Sequence, residues 1–119
     1  MKIIGIACLN NNRAIGYQNR LIYNLITDMK LFKSNTIKTC DNNKTNAVLM
    51  GANTYMSIPK KNLPLIGRHN LVVTNERYNI LKNDIKDFNG EITLFNNIEQ
   101  SLQYAQLNKN IESLFVIGG

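Results

Sequence analysis

One acid and one arginine stand out in this 119-residue chain as side chains placed to do chemistry. Asp28 is the sole acid among residues 1–39, one turn ahead of Phe32. A carboxylate in an otherwise apolar site can hold an amidine-like heterocycle by two parallel hydrogen bonds. The competing reading is an aspartate at a helix N-terminus, facing the helix dipole. Arg68 follows a loop bounded by Pro59 and Pro64. Its planar fork suits a carboxylate, and its competing reading is a solvated surface arginine. Arg68 itself lies within VLMGANTYMSIPKKNLPLIGRHNLVVT, residues 48–74. Gly51 closes an apolar run, and Asn53 and Thr54 offer cap chemistry to the turn that follows. A glycine and a helix start at a strand's end can hold phosphate. This one segment therefore presents a phosphate end and a carboxylate end.

The elements that must position these groups follow from periodicity. Residues 3–9 form a continuous apolar run, read as a central strand covered on both faces. Residues 10–24 are polar and Asn-rich, carry Gly16, and read as a long loop of the kind that is often functional. Leu25, Met29 and Phe32 recur at i, i+4 and i+7, which predicts a helix over 25–37 with Asn24 as its cap. Residues 39–46 read as a surface loop. Strands are predicted at 47–50 and 71–74, while 75–87 is mixed. Asn89-Gly90 signals a turn before a strand at 91–95. A helix over 97–107 would place Ile98, Leu102 and Ala105 on one face. The last buried strand, 113–117, runs into Gly118-Gly119. This alternation predicts an α/β fold with a parallel sheet in a single domain. If these residues were the entire molecule, the strand at 3–9 would be an apolar sheet edge.

Composition narrows the function classes. A hydrophobic fraction of 44% fits a globular chain. The net charge of +6 raises nucleic acid as a partner, but the basic residues are scattered, with no run longer than Lys60-Lys61. Aromatic residues do not alternate with them as on a single-strand-binding face. Such a surface would also attract an anionic cofactor and a carboxylate substrate. Two cysteines outside any CxxC and a single histidine argue against a disulfide framework and a zinc site. The start, MKIIGIACL, resembles a lipoprotein signal, but its apolar run is too short, and a first strand explains it better. No stretch approaches the ~20 apolar residues of a membrane span. The expectation is a cytoplasmic protein with no membrane, nucleic-acid or metal partner.

The motif MGxxTYxSIP, followed by NxPLxGRxNLVVT, closely resembles the dihydrofolate reductase family, with the spacing of its vertebrate-type members. IACLNNNRAIGYQNRL is similar to that family's first strand and the flexible loop over the nicotinamide. LITDMKLFK resembles its substrate helix, and FVIGG its cofactor glycine pair. Four segments in order span nearly the whole chain. The resemblance implies NADPH-dependent reduction of dihydrofolate, with Asp28 holding the 2-amino group and N3 of the pterin and promoting protonation at N5. It places Ile6, Ala7, Phe32, Ile58 and Leu65 around the pterin and its benzoyl ring, with plain core packing as the competing reading. Arg68 would clamp the α-carboxylate of the glutamate tail. Gly51, Asn53, Thr54, Thr74 and Asn75 would meet the cofactor's phosphates and adenosine ribose. Ala7, Ile15, Gly16, Asn19 and Leu21 would lie along the nicotinamide, and Ile117, Gly118 and Gly119 where the nicotinamide and pyrophosphate meet the sheet. Glycines there admit a diphosphate that a Cβ would block.

Three departures from the family pattern stand in the sequence. Ile22-Tyr23 replaces the usual Pro-Trp, so Tyr23 offers a hydroxyl where an indole N–H normally holds a water, beside Leu21 in the catalytic loop. Ala52 and Asn75 occupy positions usually basic in vertebrate-type members, which leaves Arg77 or Lys60 to meet the cofactor's 2′-phosphate. The family's C-terminal strands are expected to be lacking from this chain, so a longer reading frame or a complementary segment is implied, including a fused thymidylate synthase. The rival readings are a non-catalytic remnant that binds nucleotide or folate weakly, and a related pyrimidine-deazaflavin-type reductase. Asp28, Phe32 and Gly67-Arg68 favour folate over the latter's substrate.

Overall fold

The computed structural model describes residues 1–9, 21–24, 29–88 and 90–118, and within them the side chains of all but 6–9, 21–24, 29 and 31. Six strands, β1 (Lys2–Leu9), β2 (Leu21–Asn24), β3 (Thr45–Gly51), β4 (His69–Val73), β5 (Ile92–Phe95) and β6 (Ile111–Gly118), form one sheet in the order β2-β1-β6-β3-β4-β5. Every pairing is parallel. β3 lies inside the sheet because its run is apolar on both sides of the pleat. Val48 and Met50 enter one core cluster, and Ala47 and Leu49 the other.

Four helices cover the faces: α1 (Met29–Ile37), α2 (Ala52–Ser57), α3 (Tyr78–Asp84) and α4 (Ile98–Leu107). Phe32, Tyr55 and Leu81 bring the first three to one face, and Ala105 brings α4 to the other. α4 starts at a true cap, since Asn97 Oδ1 accepts from Gln100 N at 2.8 Å.

Several expectations change. Residues 21–24, read as loop, are a strand that pairs with the second half of β1, from Ile6↔Leu21 to Leu9↔Asn24. A Leu-Ile-Tyr run has high strand propensity once a partner edge is available. Asn24 ends that strand, and residues 25–28, where the predicted helix would begin, lie outside the described residues. β1 is not a bare edge: Lys2–Gly5 pair with β6 and Ile6–Leu9 with β2. Residues 75–87 contain α3, which continues into a 3-10 turn at Ile85–Phe88. Gly90 has φ +81°, as a turn requires, but β5 runs parallel to β4, so the turn closes no hairpin. Asn89 is outside the described residues. Ile98 is 53% exposed, and Ser101 and Ala105 carry the buried stripe of α4 instead. Ile98 stands in the first turn, ahead of the part of the helix that meets the sheet.

α2 and α3 are pinned together by a carboxylate. Asp84 Oδ2 accepts from the Tyr55 hydroxyl at 2.6 Å, and Oδ1 from Lys60 Nζ at 2.9 Å. These two bonds hold the Asp84 carboxyl below its usual range, Lys60 being the larger influence, while burial pushes the Tyr55 phenol up. Lys60 is largely exposed, so its pair is worth little, and the bond to the buried Tyr55 dominates. A lowered folded-state pKa means stability that is present above the ordinary carboxylate value and lost as pH falls through the lowered one. Asp84→Asn should cost about 1 kcal/mol in urea unfolding at pH 7, with the gap to the parent closing below about pH 4. A gap independent of pH would remove the charge from this account.

Candidate active site

Arg68 ends a tight loop that the next strand folds. Asn70, on β4 and 2% exposed, accepts from Leu65 N at 2.9 Å through Oδ1. Its Nδ2 donates to Leu65 O at 3.0 Å and Arg68 O at 2.9 Å. Gly67 takes φ +76° within this turn, a value that only glycine adopts easily. Arg68 is consequently drawn inward and is 9% exposed, contrary to the surface reading. Its Nε donates to Ile66 O at 3.0 Å and its Nη1 to Thr36 Oγ1 at 3.0 Å. The guanidinium carbon lies 5.9 Å from the centroid of the Phe32 ring. Among the described residues, no carboxylate pairs with it. Burial pushes its pKa down to about 10, so it stays charged at neutral pH. A buried cation held by neutral acceptors costs stability unless an anion joins it. Phe32, Ile58 and Leu65 share a core cluster next to this loop with Met50 and Ile117.

The other end of the site lies at the C-terminal ends of β3, β4 and β6. Met50 is in register with Gly118, so β6 finishes beside the start of α2. Gly118 has φ +143°, and a Cβ there would stand 2.5 Å from Thr54 Oγ1. This cradle exists only because residue 118 has no side chain. Gly51 is the residue before α2 and has extended backbone. It provides no side-chain cap, so Asn53 and Thr54 are first-turn residues of α2, not caps. Thr74 Oγ1 accepts from Arg77 N at 3.2 Å, and Arg77 Nη1 donates to Asn53 Oδ1 at 3.2 Å. Asn75 beside them is exposed. The cofactor question left open by sequence thus divides: Lys60 is committed to Asp84, and Arg77 stands with Asn53 and Thr74. Open parallel sheets bind ligands at the C-terminal ends of their strands. The glycine cradle, two threonine hydroxyls and one arginine fit a phosphorylated dinucleotide.

A family model described as dihydrofolate reductase matches residues 2–119. The chain belongs to the dihydrofolate reductase family. It is 35% identical to a Saccharomyces cerevisiae dihydrofolate reductase, over 98% of this chain and 56% of that one. It is 37% identical to an Arabidopsis thaliana bifunctional dihydrofolate reductase-thymidylate synthase, over 96% of this chain and 20% of that one. Among solved structures, a Schistosoma mansoni dihydrofolate reductase superposes with a TM-score of 0.71 at 20% identity, covering all of this chain and 62% of the other. The chain thus spans about a fifth of the bifunctional relative and somewhat over half of the single-function ones. Its α/β fold, a parallel sheet flanked by helices, is that of the family.

Within this reductase fold, the predicted residues fall into four groups. Phe32, Ile58 and Leu65 share one core cluster, and the Arg68 guanidinium stands over the Phe32 ring. Gly51, Asn53, Thr54, Thr74, Ile117 and Gly118 gather along the strand ends, with Asn75 exposed beside them. Ile6, Ala7, Leu21 and Tyr23 are placed by backbone alone, on the paired stretch of β1 and β2. Asp28, Ile15, Gly16, Asn19 and Gly119 lie outside the described residues. The sequence reading overlooked Thr36, Asn46 and Asn70, all buried. The signal was slight: Asn46 and Asn70 each stand immediately before an apolar strand run, and an amide drawn into the core with that run must find partners. No helix of the described residues is long and apolar enough to cross a membrane.

The cradle gives a direct test. Gly118→Ala should lose about 2 kcal/mol or more in urea unfolding, from backbone strain plus the clash with Thr54. Gly90→Ala, with positive φ but nothing within 4 Å, should lose only about 1 kcal/mol. Equal losses would mean that the approach of Thr54 to Gly118 is not tight.

Proposed function

We propose that this chain serves NADPH-dependent reduction of 7,8-dihydrofolate to 5,6,7,8-tetrahydrofolate. The observation that carries the reading is Arg68: a buried guanidinium, charged at neutral pH and held only by neutral acceptors among the described residues. That arrangement is built to receive a carboxylate, which the glutamate tail of a folate supplies. Family membership and the glycine cradle at Gly118 support the cofactor.

In this reading Asp28 holds the 2-amino group and N3 of the pterin and favours the proton at N5. Tyr23 offers a hydroxyl to the polar side of the ring, and Leu21 closes the loop over the reacting face. Ile6, Ala7, Phe32, Ile58 and Leu65 exclude water around the pterin and benzoyl groups. Arg68 anchors the tail, which fixes the ring against the sheet and lowers the entropic part of the barrier. NADPH, when bound, supplies the hydride. Gly51, Thr54, Thr74 and Gly118 would hold its phosphates and ribose, with Ala7, Ile15, Gly16, Asn19, Asn53, Asn75, Ile117 and Gly119 alongside. Arg77 would supply the cation for the 2′-phosphate that Ala52 and Asn75 do not. A thymidylate synthase, fused or separate, is the matching partner proposal, since the bifunctional relatives carry that name.

The test is NADPH oxidation in the presence of dihydrofolate, run on this chain and on the chain extended to the length of its relatives. Asp28→Asn should slow hydride transfer at pH 7 by more than about tenfold, the loss of one charge-assisted pair. An unchanged rate would take Asp28 out of its role. Arg77→Ala should weaken NADPH binding, read by fluorescence titration, by about tenfold while leaving NADH unaffected. Equal loss for both cofactors would dissociate Arg77 from the extra phosphate.

A further inference from the structure

We infer that Thr36 is the positioning residue of the carboxylate site: its hydroxyl determines which edge of the Arg68 guanidinium faces an incoming ligand. The inference rests on the carboxylate-binding role proposed for Arg68. Thr36 lies in the last turn of α1 and is fully buried. A hydroxyl has one proton, and Thr36 directs it back along the helix to Phe32 O at 2.7 Å, with Lys33 O more distant at 3.4 Å. With the proton committed, Oγ1 meets Arg68 as an acceptor, and Nη1 donates to it at 3.0 Å. The guanidinium can only donate, so Oγ1 must accept, and the helix carbonyl gives the hydroxyl proton a partner elsewhere.

The Thr36 end of α1 is itself held in place. Asn46, on β3 and 1% exposed, donates through Nδ2 to Thr36 O and Lys38 O, each at 2.9 Å. Its Oδ1 accepts from Ser113 N on β6 at 3.1 Å. From the opposite side, Ile66 O takes the Nε proton and Asn70 locks the loop backbone. Phe32 limits the guanidinium from its face. Among the described residues, two of the five N–H groups of the guanidinium are therefore used, one on Nε and one on Nη1, and none on Nη2. The guanidinium is held in one orientation with an unused edge, as bidentate capture of a carboxylate requires.

The choice of residue type matters. An aspartate or glutamate in place of Thr36 would orient the guanidinium equally well, but would neutralise it and compete with the ligand. A hydroxyl orients without cancelling the charge. The ligand class is a carboxylate on a flexible tail, reached by a body bound elsewhere.

Two ligands separate this idea from its premise: folate, and the primary amide of pteroate, which has the same ring system without the glutamate and without any carboxylate. Titration calorimetry on the parent protein should show folate binding more tightly than this amide. Thr36→Val, nearly isosteric, should weaken folate by about tenfold and the amide by less than about twofold. Thr36→Ser, which restores the hydroxyl, should return folate to within about threefold of the parent. A ligand-free readout runs in parallel: nitrogen NMR should resolve the Arg68 Nη–H signals in the parent and in Thr36→Ser, and find them averaged by rotation in Thr36→Val. Folate affinity unchanged in Thr36→Val, or equal loss of both ligands, would overturn the positioning role while leaving Arg68 intact. No preference for folate in the parent would overturn the carboxylate role of Arg68, and this inference with it.

Discussion

An amide side chain inside the most buried strand ties the molecule together. Asn46 sits in β3, where a ladder of backbone bonds would ordinarily suffice, yet the β3–β6 register shifts between Thr45 and Ala47. The Asn46 carbonyl meets Ser113 N at that irregularity, and its amide meets the last carbonyls of α1. The orphan acceptors of a helix end are thereby satisfied by the sheet on which the helix lies. Three elements distant in sequence are fixed relative to one another by one residue. Thr36 rides on that helix end, and Arg68 is oriented by Thr36. The geometry of the carboxylate end therefore traces back to a polar group whose burial is tolerable only because each of its bonds is made.

Charge follows from the same arrangement. Arg68 is withdrawn from water by the loop that Asn70 closes, and its neighbours among the described residues are a carbonyl, a hydroxyl and an aromatic face. None of these neutralises it. An apolar side chain would suit this core better, and the carboxylate ligand proposed above would account for the cation, in the general pattern by which binding sites sacrifice stability. At the other end, the strand termini converge because parallel strands place all their C-terminal ends on one side of the sheet. Gly118 allows β6 to finish against Thr54 where any side chain would hold the two apart. The phosphate and carboxylate roles proposed above would use these two places, and Phe32, Ile58 and Leu65 are buried together with Ile117 in one core cluster.

Much of the scaffold was legible from local pattern. The strands at 47–50, 71–74 and 113–117 are short apolar runs between turn residues; the first and last lie within observed strands, and the middle one overlaps β4 except at Thr74. The helix predicted over 97–107 is observed at Ile98–Leu107, with Asn97 as its cap. The strand at Leu21–Asn24 was not legible, because four residues of mixed character become a strand only when β1 offers its edge. α3 was hidden for a related reason: Leu81 is its single buried residue, so its apolar stripe is too thin to register as a period. Asn53 and Thr54 misled as caps because Gly51, lacking a side chain, took the position before the helix.

What the sequence determined by itself was the order of elements, the α/β class, and which residue types stand where a carboxylate and a phosphate could be met. Those properties are local, since side-chain period, turn chemistry and motif spacing are written within a few positions of one another. Only the tertiary structure decided that Arg68 is buried and oriented, that Lys60 is committed to Asp84 while Arg77 joins Asn53, and that Asn46 and Asn70 are bonded and not exposed. The reason is physical: desolvation and hydrogen-bond satisfaction depend on what the rest of the chain brings to a side chain. For Asn46 the partner is Ser113, on a strand that the chain reaches only near its end.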